Sequence, residues 1–130
     1  MDIAPEAQAL KARLDAFPGA TSEARSPPRG PPIVLIYKVM GKMFAILQFR
    51  GTLNVIVKCD PHLADVLKDQ YEGVGRRSHL DPRHWISVLL EADVPAGEIE
   101  RLAEASYDLV RESLTKKQQA ELAALDSSPA

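Results

Sequence analysis

Residues 73–88 of this chain concentrate the side chains best suited to contact a charged ligand. The segment holds three arginines, two histidines and the only tryptophan of the chain, arranged around one Asp-Pro turn. Arg76, Arg77 and Arg83 carry guanidinium groups, which bind phosphate through paired hydrogen bonds. The flanking halves alternate like two short strands, so the segment predicts a cationic, aromatic hairpin that a partner could contact.

The tryptophan and the histidines of this segment each allow two interpretations. Trp85 could stack on a nucleic-acid base, but a lone tryptophan in a strand more often packs in the core, and core packing is favoured. His79 and His84 flank the turn, and His62 is the third histidine. No carboxylate or cysteine stands at a standard ligand spacing from them. A metal site is therefore not predicted, and a turn-stabilising or surface role is favoured.

Other residues with reactive chemistry are better explained structurally. Cys59 ends a predicted strand just before a helix start, where a thiolate can be reactive. No adjacent histidine serves as its base, so we expect a small buried apolar side chain. Gly73-Val-Gly75 and Gly41-Lys42 lack the complete pattern of a phosphate-binding loop. We expect no cofactor, and a protein that is not an enzyme.

Charge is distributed unevenly along the chain. The net charge is −2, yet residues 24–59 contain no Asp or Glu. That block contains six cations: Arg25, Arg29, Lys38, Lys42, Arg50 and Lys58. Such asymmetry supports a cationic surface, although the basic excess of a dedicated nucleic-acid binder is missing.

Length and composition indicate one small domain. We expect residues 1–126 to form a single domain and residues 127–130 to be a frayed tail. The N-terminal residues do not read as a signal peptide, and no apolar run is long enough to span a bilayer. One cysteine fits a reducing compartment, so we expect a cytoplasmic protein without membrane contact.

Hydrophobic periodicity predicts an α+β domain. The spacing predicts an amphipathic helix over residues 3–16, ended by Pro18-Gly19, and then a loop or extended edge segment over residues 19–32. Strands are expected at Ile33–Met40, Met43–Phe49 and Leu53–Cys59, with turns at Gly41-Lys42 and Arg50-Gly51, followed by a hairpin of Val74–Leu80 and His84–Leu90. Further helices are expected from Asp60-Pro61 to about residue 71, from Pro95 to Leu114, and after a Thr115–Gln118 capping box. The expected sheet is antiparallel, with about five strands (a three-strand meander plus a hairpin) and helices mainly on one face.

Alternation also assigns the two faces of the meander. The face expected to form the core holds Leu35, Tyr37, Val39, Met43, Ala45, Leu47, Phe49, Leu53, Val55 and Val57. The other face is partly polar and cationic, and we expect it to be partly covered; it holds Lys38, Gln48, Arg50, Asn54 and Lys58 with Ile36, Phe44, Ile46 and Ile56.

Four segments together resemble the MmcQ/YjbR family. They are Tyr37–Ala45, Val57–Pro61, His79–Trp85 and Ser106–Val110, in order and at suitable spacing over essentially the whole chain. The resemblance implies an α+β fold described as a double-wing DNA-binding-like domain, in a small cytoplasmic bacterial protein. It also implies DNA binding, with Lys38, Lys42, Lys58, His79, His84 and Trp85 at positions of recurrent family residues. Arg76-Arg77-Ser78 departs from the Pro-Gly-Tyr of many members and adds charge.

Three functional hypotheses follow. The first is a DNA-binding module, with double-stranded DNA as the partner, that contacts phosphates through Lys38, Lys42, Lys58, Arg76, Arg77, His79, Arg83, His84 and Trp85. The second is a module that binds a polypeptide or another copy of itself, motivated by residues 91–112, whose charges sum to −5. The third, least supported, is a small-molecule binder or enzyme that uses His79 and His84.

Overall fold

The computed structural model describes residues 4–75, 81 and 83–126. Its helices are α1 (Pro5–Asp15), α2 (Pro61–Gln70), α3 (Ala96–Glu112) and α4 (Lys116–Asp126). Its strands are β1 (Ala20–Arg25), β2 (Val34–Val39), β3 (Lys42–Gln48), β4 (Asn54–Lys58), β5 (Val74–Gly75) and β6 (Trp85–Leu89). They form one antiparallel sheet in the order β1-β2-β3-β4-β6-β5. The predicted α+β class is confirmed.

The sheet has six strands because residues 20–25 extend along its edge. We expected a loop or an extended edge segment there, and the second alternative is correct for Ala20–Arg25, which pairs with β2. Four prolines follow at positions 27, 28, 31 and 32. Proline cannot donate a ladder hydrogen bond, so strand pairing ends before them.

The hairpin between β2 and β3 turns at Met40-Gly41, one residue earlier than predicted. Both residues have positive φ, 49° and 83° respectively. Two successive left-handed residues belong to a tight hairpin turn whose twist matches that of its strands. Lys42 is therefore the first residue of β3 rather than part of the turn.

A β-bulge in β3 moves two side chains to the faces opposite those predicted. Tyr37 pairs with Ala45 but Lys38 pairs with Met43, so Phe44 is an extra residue in β3. Phe44 is completely buried in the core, and Met43 shares the face of Lys38. Strict alternation predicts the opposite, with Phe44 on the outer face and Met43 in the core, and that prediction is wrong at these two residues.

The predicted second hairpin pairs antiparallel, and its strand β6 also pairs with β4. Within the described residues β5 spans Val74–Gly75, and β6 lies between β4 and β5. Residues 76–80 and 82 lie outside the described residues, so the predicted strand beyond Gly75 cannot be compared. The turn before β6 is closed by the backbone carbonyl of Asp81, which accepts hydrogen bonds from the amides of His84 and Trp85.

Two helices, α2 and α4, begin with the caps that the sequence predicts, and the helices pack on one face of the sheet. The Asp60 carboxylate accepts hydrogen bonds from the amides of His62 and Leu63, which fixes the start of α2. Thr115 and Gln118 exchange side-chain-to-backbone hydrogen bonds before α4, as in a capping box. Buried residues of all four helices join one core with strand residues that include Tyr37, Leu47, Val57 and Ile86.

Candidate nucleic-acid interface

One face of the sheet remains uncovered in the described part of the chain. Successive cross-strand partners form a row across it: Glu23, Ile36, Ile46, Ile56, Ser87 and Gly75. The three isoleucines are only partly buried, whereas the residues beside them in sequence face the helix-packed core. The face forms an open groove of about 740 Å³, which Arg25, Gln48, Asn54 and Leu89 also line.

A lysine and the tryptophan lie side by side at one end of this open face. Lys58 is the cross-strand partner of Trp85, and the neighbouring pair Val57 and Ile86 is buried in the core. Because side chains alternate along a strand, Lys58 and Trp85 both point to the open face. Trp85 is half-buried and is not part of the core, so the prediction that it packs in the core is wrong.

The backbone beneath this pair is held by an inserted serine. The Ser106 hydroxyl of α3 donates to the carbonyl of Phe44 at 2.6 Å and accepts from the amide of Lys58 at 2.8 Å. The carbonyl of Phe44 and the amide of Lys58 lie one residue beyond Ala45 and Val57, which are the last paired residues of β3 and β4 at this end of the ladder. The buried hydroxyl therefore replaces a direct strand-to-strand bond at the position where Lys58 emerges.

The cations of the open face differ in their acidic neighbours. The Glu23 carboxylate lies 3.0 Å from the Arg25 guanidinium and 3.9 Å from the Lys38 ammonium. Among the described residues, no carboxylate lies within ion-pair distance of Lys58. Sequence reasoning missed Glu23 because its strand has only weak β propensity, and Lys58 is therefore less neutralised than Arg25 and Lys38.

Lys42 lies away from this surface. Its ammonium donates to the backbone carbonyl of Ser113 at 3.1 Å, at the C-terminal end of α3. A cation at that end complements the helix dipole. The three lysines grouped by sequence are thus divided: Lys38 and Lys58 share the open face, and Lys42 is on the helix side.

The Asp81 carboxylate organises the turn before β6. It accepts hydrogen bonds from the backbone amide of Arg83 at 3.0 Å and lies 2.7 Å from Nδ1 of His84. The amide of Arg83 and then the His84 ring lower the pKa of Asp81 below its ordinary value. His84 thus has the turn-stabilising role that was favoured, and Arg83 borders a separate hollow that Asp60 and Asp65 also line. Arg76, Arg77 and His79 lie outside the described residues.

The other candidate groups do not form a reactive centre. Cys59 is buried in the core, and burial followed by the charge of Asp60 raises the pKa of its thiol to about 11. Burial and a hydrogen bond to Asp15 raise the pKa of Tyr37 above its ordinary value. Within the described residues, His, Cys, Asp and Glu side chains nowhere meet in a group of three that could hold a metal ion.

These observations define a small α+β domain whose antiparallel sheet, over the described ranges, packs helices on one face and leaves the other open. The YjbR family model matches residues 15–109. The chain belongs to the YjbR family.

Relatives from three bacteria accord with this assignment. The chain is 36% identical over 66 residues to YyaQ of Bacillus subtilis, covering 50% of this chain and 55% of the relative. It is 34% identical over 71 residues to YjbR of Escherichia coli K12, covering 54% of this chain and 60% of the relative. The crystal structure of Deinococcus radiodurans protein DR2400, a DUF419 domain, superposes with a TM-score of 0.75 at 27% identity, over 89% of this chain and 86% of that one.

A more distant structure resembles the fold alone. A crystal structure from Pseudomonas syringae has a TM-score of 0.62 at 22% identity, over 78% of this chain and 95% of that one.

The curated relatives are matched over little more than half of their own length. None of the helices in the described ranges has the length and hydropathy needed to cross a membrane.

Proposed function

We propose that this chain is a small, non-catalytic DNA-binding module whose open sheet face contacts the ligand. The observation that supports this most directly is the pairing of Lys58 with Trp85 on the uncovered face. A lysine without an acidic neighbour in the described chain is available to a phosphate. The adjacent, partly exposed ring of Trp85 offers a flat surface to a deoxyribose or an unstacked base.

The rest of the face suits a weak, salt-sensitive contact. Lys38 lies at the same end of the face as Lys58, but Glu23 partly offsets its charge. The Arg25 guanidinium is closer still to Glu23. Few phosphates are therefore neutralised. Because the slope of log affinity against log salt is proportional to the number of phosphate contacts, we expect the affinity to fall with salt along a shallow slope.

Fluorescence anisotropy with a labelled DNA tests the proposal. A random duplex and a single strand of the same sequence are titrated at several salt concentrations. We expect Lys58→Ala to weaken binding and to reduce the slope of log affinity against log salt by about one. Lys68→Ala removes the same charge from an exposed position on α2 and is the matched control.

The tryptophan provides a second, independent readout. Trp85 is the only tryptophan, so quenching of its fluorescence on addition of DNA reports contact at this site. Binding without quenching, or binding that Lys58→Ala and Lys68→Ala weaken equally, argues against the open face. Absence of binding to both DNAs at low salt refutes the proposal.

A polypeptide partner is the second candidate, and the row of Ile36, Ile46 and Ile56 favours it. These side chains form a continuous apolar strip along the centre of the open groove. An exposed apolar strip with a polar rim is typical of protein interaction sites. Ile46→Lys should abolish such binding, whereas Lys58→Ala should affect it little. That pattern of responses is the reverse of the one expected for DNA.

The non-catalytic part of the proposal is supported by the state of the candidate reactive groups. The thiol of Cys59 is buried and has a raised pKa, and His84 is engaged by Asp81. A cytoplasmic location belongs to the same proposal and is supported by the single buried cysteine.

A further inference from the structure

The outer edge of β1 offers a strand-pairing surface. β1 is a terminal strand of the sheet, and within the described residues only its inner edge is paired. The strand runs for six residues, and all but its first are exposed. An unpaired edge displays a row of amide and carbonyl groups to which another strand can add. The other edge strand, β5, is described over Val74–Gly75 alone.

The side chains of β1 distinguish its two faces. Glu23 pairs with Ile36 and Arg25 pairs with Val34, so both charges lie on the open face. Ser22 and Ala24 alternate with them and lie on the helix-packed side. The edge therefore presents one negative and one positive side chain, two residues apart, on one face, with small side chains between and beside them.

We propose that β1 pairs antiparallel with β1 of a second copy of this chain, in the register that places Ala24 opposite Ala24. That register sets Glu23 of each copy opposite Arg25 of the other, which gives two equivalent cross-strand ion pairs. Opposite charges directly across an antiparallel pair are stabilising. The interface is isologous, as a two-fold dimer requires.

The neighbouring registers lack this complementarity. Shifting the two-fold axis by one residue toward the start of β1 places Glu23 opposite Glu23, and like charges directly opposite are destabilising. Shifting it by two residues places Glu23 opposite Thr21, which forms no ion pair. Pro27 and Pro28 follow β1 and cannot donate ladder hydrogen bonds. They therefore limit the paired length to about five residues per copy. The dimer is consequently expected to be weak and to depend on concentration and salt.

Charge reversal tests both the dimer and its register. Glu23→Arg and Arg25→Glu should each weaken self-association about tenfold or more, because each replaces two attractive pairs with two repulsive ones. The double variant E23R/R25E restores opposite charges across the interface and should dimerise like the original chain. An equimolar mixture of the two single variants should form a heterodimer that neither variant forms alone.

Sedimentation velocity over a wide concentration range at low salt provides the measurement. Circular dichroism and thermal melting verify that these exposed substitutions leave the fold intact. A chain that remains monomeric at every concentration overturns the proposal. A dimer that is unaffected by either single reversal, or that the double reversal fails to restore, also overturns it. None of these outcomes depends on whether the open face binds DNA.

Discussion

Replacing Ser106 with alanine removes a single buried oxygen atom that joins three elements. The hydroxyl links α3 to the carbonyl of Phe44 in β3 and to the amide of Lys58 in β4, and Ser106 is 0% exposed. Alanine fills nearly the same volume, so steric changes are minimal. The variant isolates the effect of leaving one buried carbonyl and one buried amide without a partner.

The expected loss of stability follows from those two groups. A buried polar group left unsatisfied costs about 1–3 kcal/mol. Two groups give about 2–6 kcal/mol, and the better helix propensity of alanine in α3 returns roughly 0.5 kcal/mol. Because the strands can relax slightly, we expect Ser106→Ala to lower the free energy of unfolding by about 2–4 kcal/mol.

Urea unfolding followed by Trp85 fluorescence and by circular dichroism measures this difference. Ser87→Ala is the matched control, because Ser87 is also buried but makes no side-chain hydrogen bond to any described residue. The midpoint should fall markedly for Ser106→Ala and scarcely for Ser87→Ala, with unchanged slopes. Equal effects of the two substitutions would refute the bridging role of Ser106.

Three further predictions concern acid stability, thiol reactivity and the divided lysines. The pKa values of Asp81 and Asp93 are both lowered, and in Asp93 the causes are the amides of Gly73 and then Glu72. The ionised carboxylates therefore stabilise the fold fully above the ordinary carboxyl pKa. This contribution is lost as the pH falls below about 4. Asp93→Ala should therefore lower the melting temperature at pH 7 and reduce the difference between pH 7 and pH 3. Cys59, with a thiol pKa of about 11, should react with iodoacetamide at neutral pH much more slowly than the unfolded chain does. Lys42→Ala should leave DNA binding unchanged while slightly lowering the melting temperature, because Lys42 caps α3.

Each of these predictions has a clear contradictory result. If Asp93→Ala leaves the stability at pH 7 unchanged, the hydrogen bonds that the Asp93 carboxylate accepts from backbone amides do not stabilise the fold. Rapid alkylation of the folded chain would place Cys59 outside the core. A loss of DNA affinity in Lys42→Ala equal to that in Lys58→Ala would restore the grouping suggested by sequence.

The fold was largely predictable because most of its elements have strong periodic signals. The meander follows two-residue alternation, and α3 places Ile99, Leu102, Ala103 and Val110 on one buried face. β1 was less certain because Ala, Ser and Glu favour strands weakly. It forms because pairing with β2 satisfies the hydrogen-bonding groups of its backbone. That pairing is a tertiary effect, which the local sequence does not encode.

The candidate site was harder to predict because a single bulge changes which side chains share a face. Alternation holds through Tyr37 and Ala45, and then Phe44 occupies an extra position. From there to the turn, Met43 points outward and Lys42 lies on the helix side. Pairing between β4 and β6, rather than between β5 and β6 alone, places Trp85 beside Lys58. Sequence alone does not reveal this strand order.

The short connection between α1 and β1 is held in place by residues of α3 and α4. The Tyr107 hydroxyl donates to the carbonyl of Pro18, and Leu122 packs so closely on Gly19 that an added Cβ would lie 2.5 Å from its Cδ1. During synthesis the N-terminal region emerges first, but these contacts form only after α3 and α4 have left the ribosome. The connection that leads into β1 is therefore secured only once α3 and α4 have been synthesised, and a nascent chain holds an incompletely supported edge strand until then.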